Sequence, residues 1–341
     1  MTDSMSDRMT ERGRLADRFL SRTDWAGCAR DPLAGDASNR RYERLTGPGG
    51  TRAVLMDAPP GRGEDVRPFV RIAGLLRGWG LSAPRILAQD AAQGFLLLED
   101  LGDDLFARVI AADAAREAPL YEAATDLLLH LHRHPAPDLA RLTPPVLAEM
   151  TRIAFDCYGA ALAGPPPEAA IDALVARLGR IFAGTIGGDP VLILRDYHAE
   201  NLLWLPERDG VARVGLLDFQ DAVTGHAAYD LVSLLQDARR DIPAAIERSC
   251  IDRYVRGAGG DAAGFRTAYA LLGVQRSLRI LGVFARLARD HGKTRYLAFM
   301  PRVHGHVMHG LRHEALAPVR DDLAALLPEP TPANLDRLKP R

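Results

Sequence analysis

The stretch from Pro190 to Asp218 constrains the fold more than any other part of the chain. An apolar run, Pro190 to Leu194, leads into Arg195-Asp196-Tyr197-His198-Ala199-Glu200-Asn201. Asn201 to Leu205 and Val211 to Leu217 then flank the turn Pro206-Glu207-Arg208-Asp209-Gly210, and the second run ends in Leu217-Asp218-Phe219. Asp and Asn often do no more than cap turns. Here an Asp and an Asn five residues apart stand between an apolar strand and a hairpin, and the hairpin ends in a second Asp. Phosphoryl transfer from Mg-ATP needs this set of groups. A carboxylate positions and deprotonates the acceptor hydroxyl, while an amide oxygen and a second carboxylate hold the metal that bridges the phosphates. Mg2+ takes hard oxygen ligands and few protein contacts. On this reading Asp196 is the base, and Asn201 and Asp218 are the metal ligands.

The rest of the chain supplies two unlike halves. Residues 8–27 have helical spacing, with Met9, Leu15, Phe19 and Leu20 among charges. Arg41 to Leu45 and Arg52 to Asp57, joined through Gly47 to Gly50, predict a hairpin. An amphipathic helix is predicted over 64–79, then strands at Arg85 to Ala88 and Gly94 to Leu98. Beyond Asp103 the chain turns helical and rich in Ala and Leu. The helices are interrupted at Pro135, Pro144-Pro145 and Pro165-Pro166-Pro167, and only the Pro190–Asp218 segment is strand-like. From Ala228 onward helix returns. The stripe Leu271, Leu278, Leu281, Phe284 and Leu287 reads as core. The expected fold class is therefore α/β (α+β), with a strand-rich lobe over residues 1–103 and a larger helical lobe over 104–341. At 341 residues, a two-part molecule is the natural expectation.

Charge and cysteine content narrow the function classes. The 43 basic and 44 acidic residues leave a net charge of -1, which disfavours nucleic acid as partner and points to a small molecule. Cys28, Cys157 and Cys250 are far apart and make no C-x-x-C, so reduced thiols are expected. The N-terminal MTDSMSDRMTERGRLADRF has no apolar stretch, so no signal peptide is expected. No apolar run reaches the ~20 residues of a membrane span. A cytoplasmic monomer or weak dimer without membrane contact is the resulting expectation. Lysine occurs only at 293 and 339, so arginine carries almost all the positive charge.

With these motifs in place, the chain resembles the aminoglycoside-phosphotransferase-like kinases, relatives of the eukaryotic protein kinases. Their catalytic loop reads H-G-D-x-x-x-x-N, and their metal loop I-D-x-x-x-x-x-x-G. The latter corresponds here to Leu217 through Gly225, followed by Tyr229-Asp230-Leu231, where the family starts a helix behind the site. The likeness runs from about residue 30 to 315 and implies a protein-kinase-like two-lobed fold using ATP and Mg2+. Three segments are similar to one branch, the anomeric kinases of N-acetylmuramate and N-acetylglucosamine, which feed peptidoglycan recycling. These are Gly35 through Tyr42, Leu55 through Pro60, and Asp218 through Ala222. The resemblance implies a nucleotide loop at Asp36, Ala37, Ser38 and Asn39; Glu99 and Leu101, by position alone, stand at the lobe junction, where backbone groups would meet adenine. Two positions depart from the pattern. The loop His is replaced by Leu194, and the phosphate-holding Lys of the third strand falls on about Met56. Arg40 or Arg41 is the natural substitute, because a guanidinium binds phosphate bidentately. Arg195 and Asp221 are candidates for the acceptor side.

Other motifs carry nothing. Gly292-Lys293-Thr294 lacks the first Gly of a Walker A loop, which would fall on Leu287, and no G-x-S-x-G exists. His306, His309 and His313 share a helix face with no acid or Cys alongside in sequence, and His130, His132 and His134 read as structural. Two rival functions remain: a kinase of aminoglycosides or other small alcohols, and a pseudokinase that binds nucleotide without turnover.

Overall fold

The computed structural model describes residues 2–33 and 39–340, with 2–10 described as backbone only. They form two compact units: Met1–Ala112 with Glu200–Asp221, and Asp113–Ala199 with Ala222–Arg341.

In the first unit, β1 (Ala29–Leu33), β2 (Arg41–Thr46), β3 (Arg52–Asp57), β4 (Ile86–Asp90) and β5 (Phe95–Glu99) form an antiparallel sheet in the order β1-β2-β3-β5-β4. Side chains alternate across a strand, so Leu45, Ala53, Leu55, Phe95 and Leu97 share one face. Helix α1 (Thr2–Leu20) covers that face with Ala16, Phe19 and Leu20, and Phe19 stacks on Phe95 with ring centroids 5.6 Å apart. Burying each such Leu or Phe contributes on the order of 2 kcal/mol. Met56 lies on the opposite face between Tyr42 and Leu96 and is fully buried. Helix α2 (Arg67–Gly78) follows, its Phe69, Ile72, Ala73 and Leu76 inward, and α3 (Phe106–Ala112) ends this stretch.

Details of this unit differ from what the sequence predicts. The first helix stops at Leu20 rather than reaching 27: the Thr23 hydroxyl bonds back to the Leu20 carbonyl and accepts the Trp25 N–H, which closes a turn. β1 was not foreseen. It carries Arg30, Asp31 and Pro32, and Pro32 is tolerated because β1 is an edge strand.

The hairpin of β7 (Leu202–Trp204) and β8 (Val214–Leu216) belongs to the first unit, although the sequence reading counted it with the second lobe. Backbone bonds explain this. The Leu216 N–H donates to the Ser82 carbonyl at 2.9 Å, and the Trp204 N–H donates to that of Asp104 at 2.8 Å. Gly215 permits the close approach, since a Cβ there would meet Leu205, Leu203 and Leu101 at 3.1 to 3.3 Å.

The second unit is helical apart from β6 (Val191–Ile193), paired antiparallel with β9 (Val223–Gly225). At three residues, β9 is too short to show periodicity. Its helices begin with α4 (Glu117–Leu131), α5 (Pro144–Glu149), α6 (Ala160–Ala163) and α7 (Glu168–Ala183). The fully buried α8 (Ala228–Leu235), α9 (Ala244–Ala258) and the long α10 (Ala262–His291) follow. Helices α11 (Met300–Gly310), α12 (Arg320–Leu326) and α13 (Pro332–Arg337) complete the unit. Asp261 caps α10 by accepting the Ala263 and Gly264 N–H groups. Gly292 ends it in the left-handed conformation, φ 65°. The Gly292-Lys293-Thr294 triplet is thus a helix stop. No helix among the described residues is long and apolar enough to cross a membrane.

Candidate active site

In the second unit, β6 delivers the chain into the loop that carries Asp196. The Asp196 N–H donates to the Leu194 carbonyl at 2.9 Å, a three-residue turn with Arg195 at φ 71°. A non-glycine residue held there costs of order 1–2 kcal/mol, so its surroundings must impose it. They do so from both sides. Buried Asp230 on α8 accepts the N–H of Leu194 at 2.6 Å and that of Arg195 at 2.9 Å. The Arg195 carbonyl accepts from the Ser233 hydroxyl at 2.9 Å and from Arg276 of α10 at 3.4 Å, and Arg276 also donates to Ser233 at 2.7 Å. Downstream, buried Tyr197 donates its hydroxyl to the Ala124 carbonyl of α4 at 2.8 Å. Leu194, standing where the family has His, is buried, and backbone bonds to Asp230 hold its position.

Electrostatics in this half are set by burial. Desolvation pushes the Asp230 carboxyl up to about 7, against the pull of two backbone N–H donors and Arg276. His198 is held well below the usual histidine range, first by burial and then by Arg239 and Arg276, so its ring is neutral. His132 is pushed down to about 3 by burial, and its Nδ1 lies 2.7 Å from the Tyr254 hydroxyl.

In the first unit, the Leu217 N–H donates to the Asn201 carbonyl at 3.0 Å, closing the β7–β8 hairpin so that Asn201 and Asp218 emerge at the same end. Asp218 has φ 57°. With Arg195 it makes up the positive-φ non-glycine residues among those described, and both were singled out from sequence for chemistry. Phe219 is buried against Phe69 of α2, ring centroids 4.7 Å apart, which anchors the loop. The Asp218 Oδ1 accepts from Gln220 Nε2 at 2.7 Å and lies 3.5 Å from Arg40 Nη1. Arg40 also donates to Glu64 Oε2 at 3.1 Å, and the other Glu64 oxygen accepts the Asn39 N–H at 3.0 Å. Burial works against the Arg40 charge, but Tyr42, Asp218 and Glu64 outweigh it and raise its pKa, so it stays a cation.

Of the remaining sequence candidates, Asp36, Ala37 and Ser38 lie outside the described residues. Arg41 is exposed at the start of β2. Glu99 ends β5, its N–H bonded to the Arg85 carbonyl and its carboxylate taken by Arg208 at 2.9 Å. Leu101 is half-buried and Asp221 is exposed. Glu64, Ser233 and Arg276 escaped the sequence reading. A lone acid ahead of a helix, and a Ser or Arg inside an apolar helix, carry no local signal.

The donor set of the first unit suits a small hard cation: a carboxylate at Asp218 and an amide oxygen at Asn201, both from one hairpin end. Mg2+ bound there would take its other ligands from phosphate and water.

A strand-rich N-terminal sheet and a helical C-terminal portion make this a kinase-like fold. The chain belongs to the phosphotransferase enzyme family, whose model matches residues 30–271. It is 42% identical over 331 residues to the N-acetylmuramate/N-acetylglucosamine kinase of Caulobacter vibrioides, a match spanning 86% of this chain and 91% of that protein. Among solved structures it shares its fold with a choline kinase from Streptococcus pneumoniae, at a TM-score of 0.57 and 14% identity over 87% of this chain and 99% of that one. It also shares it with an aminoglycoside phosphotransferase from Streptomyces rimosus, in complex with ADP and streptomycin, at a TM-score of 0.51 and 19% identity over 76% and 96%.

Proposed function

We propose that the protein transfers the γ-phosphoryl group of ATP to the anomeric hydroxyl of N-acetylmuramate or N-acetylglucosamine, as a step in peptidoglycan recycling in the cytoplasm. The observation that carries the reaction class is the clamped loop Leu194–Asp196, held in a strained backbone by the buried polar groups of Asp230 and Ser233. The acceptor rests on the likeness to the Caulobacter enzyme. Nucleotide use is supported by the ADP held in the Streptomyces relative.

In this reading the Asp196 carboxylate takes the proton of the anomeric hydroxyl. The sugar oxygen forms its bond to the γ-phosphorus as the bond to the β-phosphate oxygen breaks, releasing ADP. The anomeric hydroxyl is more acidic than an ordinary alcohol, so a plain carboxylate base suffices. Asn201 and Asp218 would hold Mg2+, which when bound supplies neutralisation of phosphate charge. Nucleotide binding is assigned to the strand-rich portion, residues 1–103, through residues 36–41, Glu99 and Leu101. The acceptor is assigned to the portion over 104–341, through Arg195 and Asp221.

Arg40 is assigned to the phosphates in place of the strand Lys, because it is a half-buried cation 3.5 Å from Asp218 whereas Arg41 is exposed. Arg40→Ala should raise the ATP KM by about 10-fold or more, the worth of a charge-assisted contact. Arg41→Ala should leave it within about 2-fold. Steady-state kinetics with varied ATP check both, and the reverse ranking would move the role to Arg41.

The acceptor is tested by ADP release over a panel of N-acetylmuramate, N-acetylglucosamine, choline and kanamycin. Turnover of the two amino sugars and none of kanamycin is expected. Turnover of kanamycin alone would favour the aminoglycoside reading, and release with none of the four the pseudokinase.

A further inference from the structure

The guanidinium groups around the Asp196 loop are not equivalent. Arg276 is buried, and its Nη2 donates to Ser233 and to the Arg195 carbonyl. Arg239 lies 3.2 Å from His198 and 3.9 Å from Asp237. Arg279 is different. It stands three residues beyond Arg276 on α10, on the same helix face, and that face abuts the loop through the Arg276–Arg195 bond. It is half-buried, within electrostatic reach of Tyr229, Arg195 and Asp196. Among the described residues it makes no hydrogen bond or ion pair. Burial lowers its pKa, and only partial compensation comes from Tyr229 and Asp196. A cation kept partly desolvated beside two other arginines, with no anion fixed to it, is costly unless a ligand supplies the anion.

We propose that Arg279 is a specificity residue that binds an acceptor carboxylate, the lactyl group of N-acetylmuramate, beside the reacting loop. This rests on the amino-sugar reading above. A guanidinium takes a carboxylate through two parallel N–H donors, which fixes orientation as well as charge. The same positive field disfavours polycationic acceptors.

The test compares wild type, Arg279→Gln and Arg279→Lys on N-acetylmuramate, on its uncharged lactyl methyl ester and on N-acetylglucosamine. In Arg279→Gln, the ratio of kcat/KM for N-acetylmuramate to that for N-acetylglucosamine should fall about 10- to 100-fold, the worth of a hydrogen bond to a charged group. Arg279→Lys should recover part of it. Wild type should show the same fall with the methyl ester, a comparison that needs no folded variant. An unchanged ratio in Arg279→Gln, or a wild type that accepts the ester as well as the acid, would overturn the assignment. Wild-type turnover of N-acetylglucosamine with no discrimination by charge would refute Arg279 alone. Turnover of neither sugar would refute the underlying reading and this inference with it.

Discussion

Asp196→Asn is expected to lower kcat by about 10²- to 10⁴-fold, the usual cost of removing a positioned base. The substitution is close to isosteric. It leaves the bond from the backbone N–H of residue 196 to Leu194 intact, and the clamp on Arg195 does not involve the side chain at 196. The loop should therefore keep its shape. Nucleotide affinity, measured by calorimetric titration with a non-hydrolysable analogue, should change little, because Asn201, Asp218 and Arg40 are untouched. Turnover at the wild-type rate would remove Asp196 from the chemistry. A matching collapse of nucleotide affinity would make its role structural.

Asp230→Ala should damage stability and rate together. The carboxylate is buried, 1% exposed, and it accepts two backbone N–H groups from consecutive residues of the loop. Alanine leaves both donors without a partner, at about 1–3 kcal/mol each. A loss of roughly 2–5 kcal/mol in urea denaturation is expected at neutral pH. The φ 71° conformation of Arg195 would then relax, taking the Asp196 side chain with it. Asp230→Asn keeps one acceptor oxygen and should fall between. The pH dependence gives a second check. Burial raises this carboxyl from about 4 in the unfolded chain to about 7 in the native state. The native state thus binds the proton more tightly, and the resulting contribution to stability is complete below pH 4 and lost as the pH rises through 7. The stability difference between wild type and Asp230→Ala should accordingly shrink over that window. A constant or widening difference would mean that the buried group stays ionised throughout.

Much of the frame was legible before any coordinates. The β2–β3 hairpin announces itself through alternation and the Gly47–Gly50 turn, and β7–β8 through the Pro206–Gly210 turn. The long α10 follows from its leucine stripe. What escaped has physical causes. β1 is polar and contains Pro32, so its pairing with β2 is a tertiary fact with no local propensity behind it. Glu64 is one acid among many, and its bonds to Asn39 and Arg40 depend on a fold that brings together residues 25 and 24 positions apart. Arg276 and Ser233 sit in runs of core residues, where a sequence pattern reads only the burial. The chemistry-bearing loop residues stood out because spacing and type coincide. The groups that brace them come from distant segments, and spacing says nothing about those.

The reaction proposed for this protein is the transfer of phosphate to the anomeric oxygen of an N-acetylated amino sugar. It is tested most directly by phosphorus NMR of the product after incubation with ATP, Mg2+ and N-acetylmuramate. A phosphate bonded at C1, absent when Asp196→Asn replaces the wild type, is the predicted result. A phosphate on any other ring hydroxyl, or a wild-type product indistinguishable from that of Asp196→Asn, would contradict it.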